Sequence, residues 1–225
     1  MPHLLELFAG TKSVGKVFEA AGWRVTSVDL LPRFLPTICM DVMDLDVSNL
    51  VGDVDLMWAS PPCTHYSRAR SCAKTPRDLV GSDRMVQKCL DIAAQLGCPY
   101  FMENPQTGLL KGRAVVAGIP YRVVDYCKYH DHRCPHRAQK RTAIWTNTDW
   151  MPSRSLCLKD CGHCEGNRHL DYAQTRDING YRRHTRDALY AIPPLLVEDI
   201  FEWVHGRSWP SDPRTEPQWL DPDEF

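Results

Sequence analysis

Leu5-Glu6-Leu7-Phe8-Ala9-Gly10-Thr11-Lys12-Ser13-Val14-Gly15 decides how this chain folds. Residues 4–8 are a short apolar run that stops near Gly10, the pattern of a buried parallel strand. Residues 14–21 follow with helical spacing and are halted by Gly22. A strand, a glycine-containing turn and a helix in that order bring backbone N–H groups and a helix N-terminus up to a ligand. Residues 24–29 form a second strand candidate that closes on Asp29, an acid placed to accept hydrogen bonds from two ribose hydroxyls.

Working outward, residues 37–41, 54–58, 100–103, 122–126 and 142–146 read as further strands. Residues 83–97 carry Val86, Cys89, Leu90, Ala93 and Leu96 on one helical face and end at Gly97. Residues 195–204 form a last amphipathic helix after Pro193-Pro194. Strands alternating with helices predict an α/β fold, a Rossmann-like parallel or mixed sheet carrying a small Cys/His-rich insert. The core is expected over residues 1–150, the insert over 151–187, a segment returning to the core over 188–206, and an extended acidic tail over 207–225. Residues 127–139 share the insert's Cys/His-rich composition. The tail holds four prolines and five acids against two arginines.

The chain has 225 residues, 43% of them hydrophobic and 24% charged, enough for one sizeable core and too apolar for wholesale disorder. With 27 basic and 28 acidic residues it is no histone-like basic protein. Nucleic-acid binding stays open, because it needs a local basic face only. No run approaches the roughly 20 apolar residues of a membrane span. The N-terminus lacks a basic flank and Glu6 interrupts its apolar run, so no signal peptide is expected and an intracellular location follows. Ten cysteines in such a chain point to metal binding or catalysis before disulfides.

Three segments carry chemistry besides the first turn. Ala59-Ser60-Pro61-Pro62-Cys63-Thr64-His65 follows a strand directly, and its two prolines fix a rigid exit that presents Cys63 at the carboxyl edge of the sheet. A thiol there acts as a nucleophile when nearby dipoles or cations favour its thiolate. Met102-Glu103-Asn104-Pro105 places a carboxyl at the same edge. The third segment is Cys157-x3-Cys161-x2-Cys164-x4-His169, with Cys127, His130, His132, Cys134 and His136 upstream. Zinc takes four thiolate or imidazole ligands at such spacings. The expected site uses Cys157, Cys161 and His169, with Cys164 or Cys127 as the fourth ligand.

Taken together, Phe8-Ala9-Gly10, Pro61-Pro62-Cys63, Glu103-Asn104-Pro105, Gln139-Lys140-Arg141 and Tyr190-Ala191-Ile192-Pro193-Pro194-Leu195 resemble the ordered motifs of the cytosine-5 DNA methyltransferases. The resemblance covers residues 4–145 and 188–204, and the small size and Glu-Asn-Pro triplet resemble compact phage and viral members. It implies S-adenosylmethionine as methyl donor, bordered by Phe8, Ala9, Gly10 and Pro61, with Asp29 on its ribose and Asp41 on its adenine amino group. It implies a catalytic set of Cys63, which adds to cytosine C6, Glu103, which binds N3 and the exocyclic amine, and Arg141. DNA is the implied partner, its target base flipped out of the stack. Arg68, Arg70, Lys74 and Arg77 would close over phosphates. Arg168, Arg176, Arg182, Arg183 and Arg186 lie in or beside the insert, where the family reads its target. The chain departs from the family at Lys12-Ser13, which replace a glycine pair, and at Ala143, which replaces an arginine. An RNA cytosine-5 methyltransferase and a catalytically silent nucleic-acid-binding relative remain the alternatives.

Overall fold

The computed structural model describes residues 1–70, 73–134, 136–171 and 184–206. The expectations for Arg176, Arg182, Arg183 and the 207–225 tail lie outside the described residues. Nine strands and four helices are formed: β1 His3–Leu7, α1 Ser13–Ala20, β2 Arg24–Asp29, β3 Ile38–Cys39, β4 Leu56–Ala59, α2 Leu79–Leu96, β5 Tyr100–Pro105, β6 Tyr121–Asp125, β7 Arg141–Thr146, β8 Cys164–Glu165, β9 Arg168–His169, α3 Arg186–Tyr190 and α4 Pro194–His205.

Seven strands make one sheet in the order β3-β2-β1-β4-β5-β7-β6. All pairings from β3 through β5 are parallel, and β7 runs antiparallel between β5 and β6. This is the expected Rossmann-like α/β sheet. Strand order reverses between β1 and β4, and at such a switch point the loops leaving the carboxyl ends part and open a crevice. The β1, β4 and β5 ends that meet there carry Phe8-Ala9-Gly10, Pro61-Pro62-Cys63 and Glu103-Asn104.

β1 is buried along its whole length because both its faces are covered. On one face α2 contributes Val86, Cys89, Ile92, Ala93 and Leu96 to a core with Leu5, Leu7, Met57 and Met102. On the other, Val14 and Phe18 of α1 meet Leu196, Val197, Ile200 and Phe201 of α4. Phe18 packs edge-on against Trp23 and Phe201, with ring centroids 5.0 and 5.3 Å apart. α4 opens on Pro194, where the missing N–H costs nothing.

Element limits moved where capping overrode periodicity. α2 begins at Leu79, four residues ahead of its apolar pattern, because the Asp78 side chain accepts from Gly81 N at 2.7 Å. It ends at Gly97, whose φ of 67° is a left-handed cap. β3 shrinks to two residues at the sheet edge. Among the described residues, 3-10 turns stand where crossover helices would join β3 to β4 and β5 to β6. No described helix is long and apolar enough to cross a membrane.

Phe18 is fully buried at the α1–α4 contact. Phe18→Ala should therefore lower unfolding free energy by about 3–5 kcal/mol, read from the denaturant midpoint. A loss below about 1 kcal/mol would show that α4 does not depend on this contact.

Candidate active site

The turn after β4 is held from both sides. Ser60 N donates to Leu7 O at 3.2 Å, and Asn104 Nδ2 donates to Pro61 O at 2.9 Å in a buried contact. The Cys63 carbonyl then accepts from Tyr66 N at 3.1 Å and Ser67 N at 2.9 Å. Tyr66 is fully buried, and its hydroxyl donates to Asp83 of α2 at 2.8 Å. Asp83 is itself gripped by Arg113 at 2.6 Å. The loop carrying Cys63 is thus anchored to β1, β5 and α2 before any ligand arrives.

Cys63 and Glu103 lie within electrostatic reach of each other. Burial pushes the Cys63 thiol up, the Glu103 carboxylate pushes it further, and Lys140 pulls it back down. Glu103 is 8% exposed, and its Oε2 is buried without a hydrogen-bond partner. Tyr126 OH and Thr142 Oγ1 are also buried, and the Thr142 hydroxyl lies close enough to the phenol to act on it. β7 pairs Ile144 with Glu103, and Thr142 lies two residues from Ile144, so Thr142 and Glu103 share one face of the sheet. Burial, then Glu103, holds the Tyr126 phenol well above its ordinary value, and the Cys63 thiol adds to the effect. Lys140 Nζ sits 4.7 Å over the Tyr126 ring. Each unpaired buried polar atom costs about 1–3 kcal/mol. Glu103 Oε2, close to the Cys63 thiol, is a buried acceptor left for a polar ligand.

On the other side of the crevice the β1–α1 turn is tight. Phe8, Gly10 and Lys12 have φ of 56°, 48° and 56°. Lys12 therefore holds a left-handed backbone, at about 1–2 kcal/mol for a residue with a Cβ. Asp29 ends β2 as expected and accepts from Gly10 N and Leu31 N, both at 2.8 Å. Asp41 is exposed and caps a 3-10 turn by accepting from Met43 N at 2.9 Å. Ala9 and Pro61 are buried at the same edge, and Phe8 is half-buried.

The start of α1 differs from the expectation that its amides face a ligand. Gly15 N donates to Glu6 Oε2 at 3.2 Å, and the Val14 amide also supports this carboxyl. A Cβ at Gly15 would stand 2.6 Å from Glu6 Oε2, so glycine is required there. Burial pushes the Glu6 carboxyl up to about 8. Glu6 is thus the internal cap of α1.

Arg141 leaves the pocket to Lys140. It donates to Asp125 from Nε at 2.9 Å and from Nη2 at 2.7 Å. Ala143 is fully buried in the core facing α2. In the loop after Cys63, Arg70 donates to Thr75 O at 2.9 Å and Pro76 O at 3.0 Å, and Arg77 donates to His65 O and to Ser67 O at 3.0 Å. These two guanidinium groups fold the loop, and Arg68 and Lys74 are exposed. Tyr126 and Thr142 escaped the sequence reading. A period-2 count along β7 would have put Thr142 on the Glu103 face, whereas nothing local marked Tyr126.

The Cys/His segments also converge. Cys127, Cys157, Cys161 and His169 place their ligand atoms within 4.8 Å of one another. Cys164 Sγ lies 3.6 Å from Cys161 Sγ but outside this group of four. A separate cavity of about 710 Å³ opens between α1 and the α3–α4 segment, bordered by Thr11, Ser13, Ala191 and Pro194. Neither Cys63 nor Glu103 lines it.

No family model matches the chain. It is 28% identical, over 89% of its own length and 99% of the other's, to a frog virus 3 (isolate Goorha) protein named "Probable DNA (cytosine-5)-methyltransferase". Among solved structures it is similar to the S. pombe Dnmt2 methyltransferase, at 16% identity and a TM-score of 0.43 over 65% of this chain and 50% of that one. It is also similar to the Entamoeba histolytica methyltransferase EhMeth, at 13% identity and a TM-score of 0.45 over 69% and 56%. The chain spans about half the length of these solved structures. The ordered motifs meet at one sheet edge, and the alignment runs almost the whole length of the viral relative, so the chain is similar throughout to a protein named as a probable DNA (cytosine-5)-methyltransferase.

Proposed function

We propose that the protein methylates C5 of cytosine in DNA through a transient covalent bond between Cys63 Sγ and C6 of a flipped base. The observation that carries this reading is the buried, unpartnered Glu103 Oε2 beside a thiol whose ionisation Glu103 and Lys140 control. DNA is favoured because the viral relative is named for DNA and matches this chain almost end to end.

Cytosine C5 becomes nucleophilic only after C6 has been attacked. The Cys63 thiol gives its proton to solvent and its thiolate bonds to C6, moving the C5–C6 electron pair into the ring. Glu103 accepts from the exocyclic amine and shares a proton with N3, which neutralises the negative charge that develops there, and both contacts partner its otherwise unpaired oxygen. Lys140 favours the thiolate against burial and Glu103. Tyr126 OH and Thr142 Oγ1 supply further polar contacts at the base edge.

The donor set at the β1 and β2 ends suits S-adenosylmethionine. Each Asp29 oxygen accepts one amide and keeps lone pairs for a ribose hydroxyl, and Asp41 offers a carboxylate to an adenine amino group. Phe8, Ala9, Gly10 and Pro61 would border it. When bound, S-adenosylmethionine supplies an electrophilic methyl group. Once C5 carries the methyl, solvent water acting as base would take the C5 proton, the C–H pair would restore the C5–C6 double bond, and the C6–S pair would leave with Cys63 as thiolate.

Labelled methyl transfer to matched DNA and RNA tests substrate and nucleophile together. DNA should take label, Cys63→Ala should fall to background, and Glu103→Gln should lose about 10²–10³-fold. Label confined to RNA, or full turnover by Cys63→Ala, would overturn the proposal.

The thiol's environment gives a second test, read from peptide masses after iodoacetamide labelling. Burial and Glu103 disfavour the thiolate, so Cys63 labelling should keep rising above the ordinary thiol pKa of about 8.5. Glu103→Gln should move that midpoint down and Lys140→Gln should move it up. A midpoint indifferent to both changes would show that the three groups do not share a pocket.

A further inference from the structure

We infer that Cys127, Cys157, Cys161 and His169 form a structural zinc site that pins the insert to the end of β6. The ligands come from distant parts of the chain. Cys127 lies on the 3-10 turn Tyr126–Tyr129 after β6, Cys157 and Cys161 lie in the loop between β7 and β8, and His169 lies on β9. Cys127 Sγ is 3.6 Å and Cys157 Sγ 3.3 Å from His169 Nε2. Tetrahedral zinc, with Zn–S of about 2.3 Å and Zn–N of about 2.0 Å, sets its ligand atoms roughly 3.5–3.8 Å apart. The two distances to His169 Nε2 need shifts of a few tenths of an ångström, and the remaining pairs, all within 4.8 Å, need to close by about 1 Å at most.

The donor chemistry selects the metal. Three thiolates and an imidazole suit zinc, and four protein ligands close the shell without an open position for catalysis. The surrounding charges agree. Zinc with three thiolates carries one net negative charge, and Lys159 Nζ lies 3.0 Å from His169 Nδ1. Zinc on Nε2 leaves Nδ1 protonated. Lys159 then turns to its other neighbour, Gln139 Oε1, at 3.4 Å.

The insert has a physical need for such a centre. Its hairpin has two residues per strand, and Cys157, His169 and Asp171 are the buried residues of the described 151–171 stretch. A ribbon that short does not hold itself together. Metal binding supplies the cohesion that apolar burial supplies elsewhere. The site is also wired to the sheet. Cys157 N donates to Asp125 Oδ2 at 3.0 Å, and the same carboxylate takes both contacts from Arg141. The zinc centre thus reaches the start of β7, next to Lys140.

The test uses the full-length protein and does not depend on methyl transfer. Elemental analysis after dialysis should find one equivalent of zinc. Chelation should lower Tm, and zinc should restore it. Cobalt added to the metal-free protein should give the tetrahedral visible bands and thiolate-to-metal charge transfer. Cys164→Ser should keep the metal stoichiometry and the cobalt spectrum. Cys161→Ser should lose the charge-transfer intensity of one thiolate, even if the variant is less stable. Purified protein without metal whose cobalt spectrum is octahedral would overturn the assignment. So would loss of the metal from Cys164→Ser with retention in Cys127→Ser.

Discussion

A buried hydrogen bond, Asn104 Nδ2 to the Pro61 carbonyl, locks the exit of β4 to the end of β5. Neither Pro61 nor Pro62 has an N–H to continue a ladder, and the buried Pro61 carbonyl still needs a donor. The Asn104 amide provides it. Cys63, two residues beyond Pro61, and Glu103, one residue before Asn104, are thereby held at one sheet edge.

The pocket built on that bond is electrostatically divided. Burial and Glu103 resist a negative charge on Cys63, and Lys140 favours it. On the proposed reading, a polar base entering the pocket changes the balance, because it gives Glu103 Oε2 the partner it lacks. Free energy stored in unpaired groups is then released as the substrate is aligned, which is how a preorganised polar site favours charge development over mere binding.

Much of this was legible in the sequence, for reasons that differ by residue. The β1–turn–α1 unit and the alternating strands could be read because apolar periodicity is local. Cys63 and Glu103 could be paired because each directly follows or ends a strand, and parallel strands bring their ends together. Glu6 looked like an interruption of an apolar run. Its role as the cap of α1 depends on a glycine nine residues away that leaves room for the carboxyl. Arg141 and Lys140 are neighbours in sequence, yet one serves Asp125 and the other the thiol, a split that only the strand's facing decides. Cys127 and Cys164 had equal claims by spacing. The 3-10 turn after β6 brings Cys127 into the group of four, and the β8–β9 hairpin keeps Cys164 at its margin.

The account's central claim is that Cys63 and Glu103 address the same pyrimidine. Intact mass measurement on the protein mixed with S-adenosylmethionine and a DNA duplex bearing 5-fluorocytosine tests it most directly, because fluorine at C5 blocks the elimination that frees the thiol. The account predicts a covalent one-to-one complex whose cross-linked peptide contains Cys63, formed far more slowly by Glu103→Gln. A cross-link through another cysteine, or none with active protein, would contradict it.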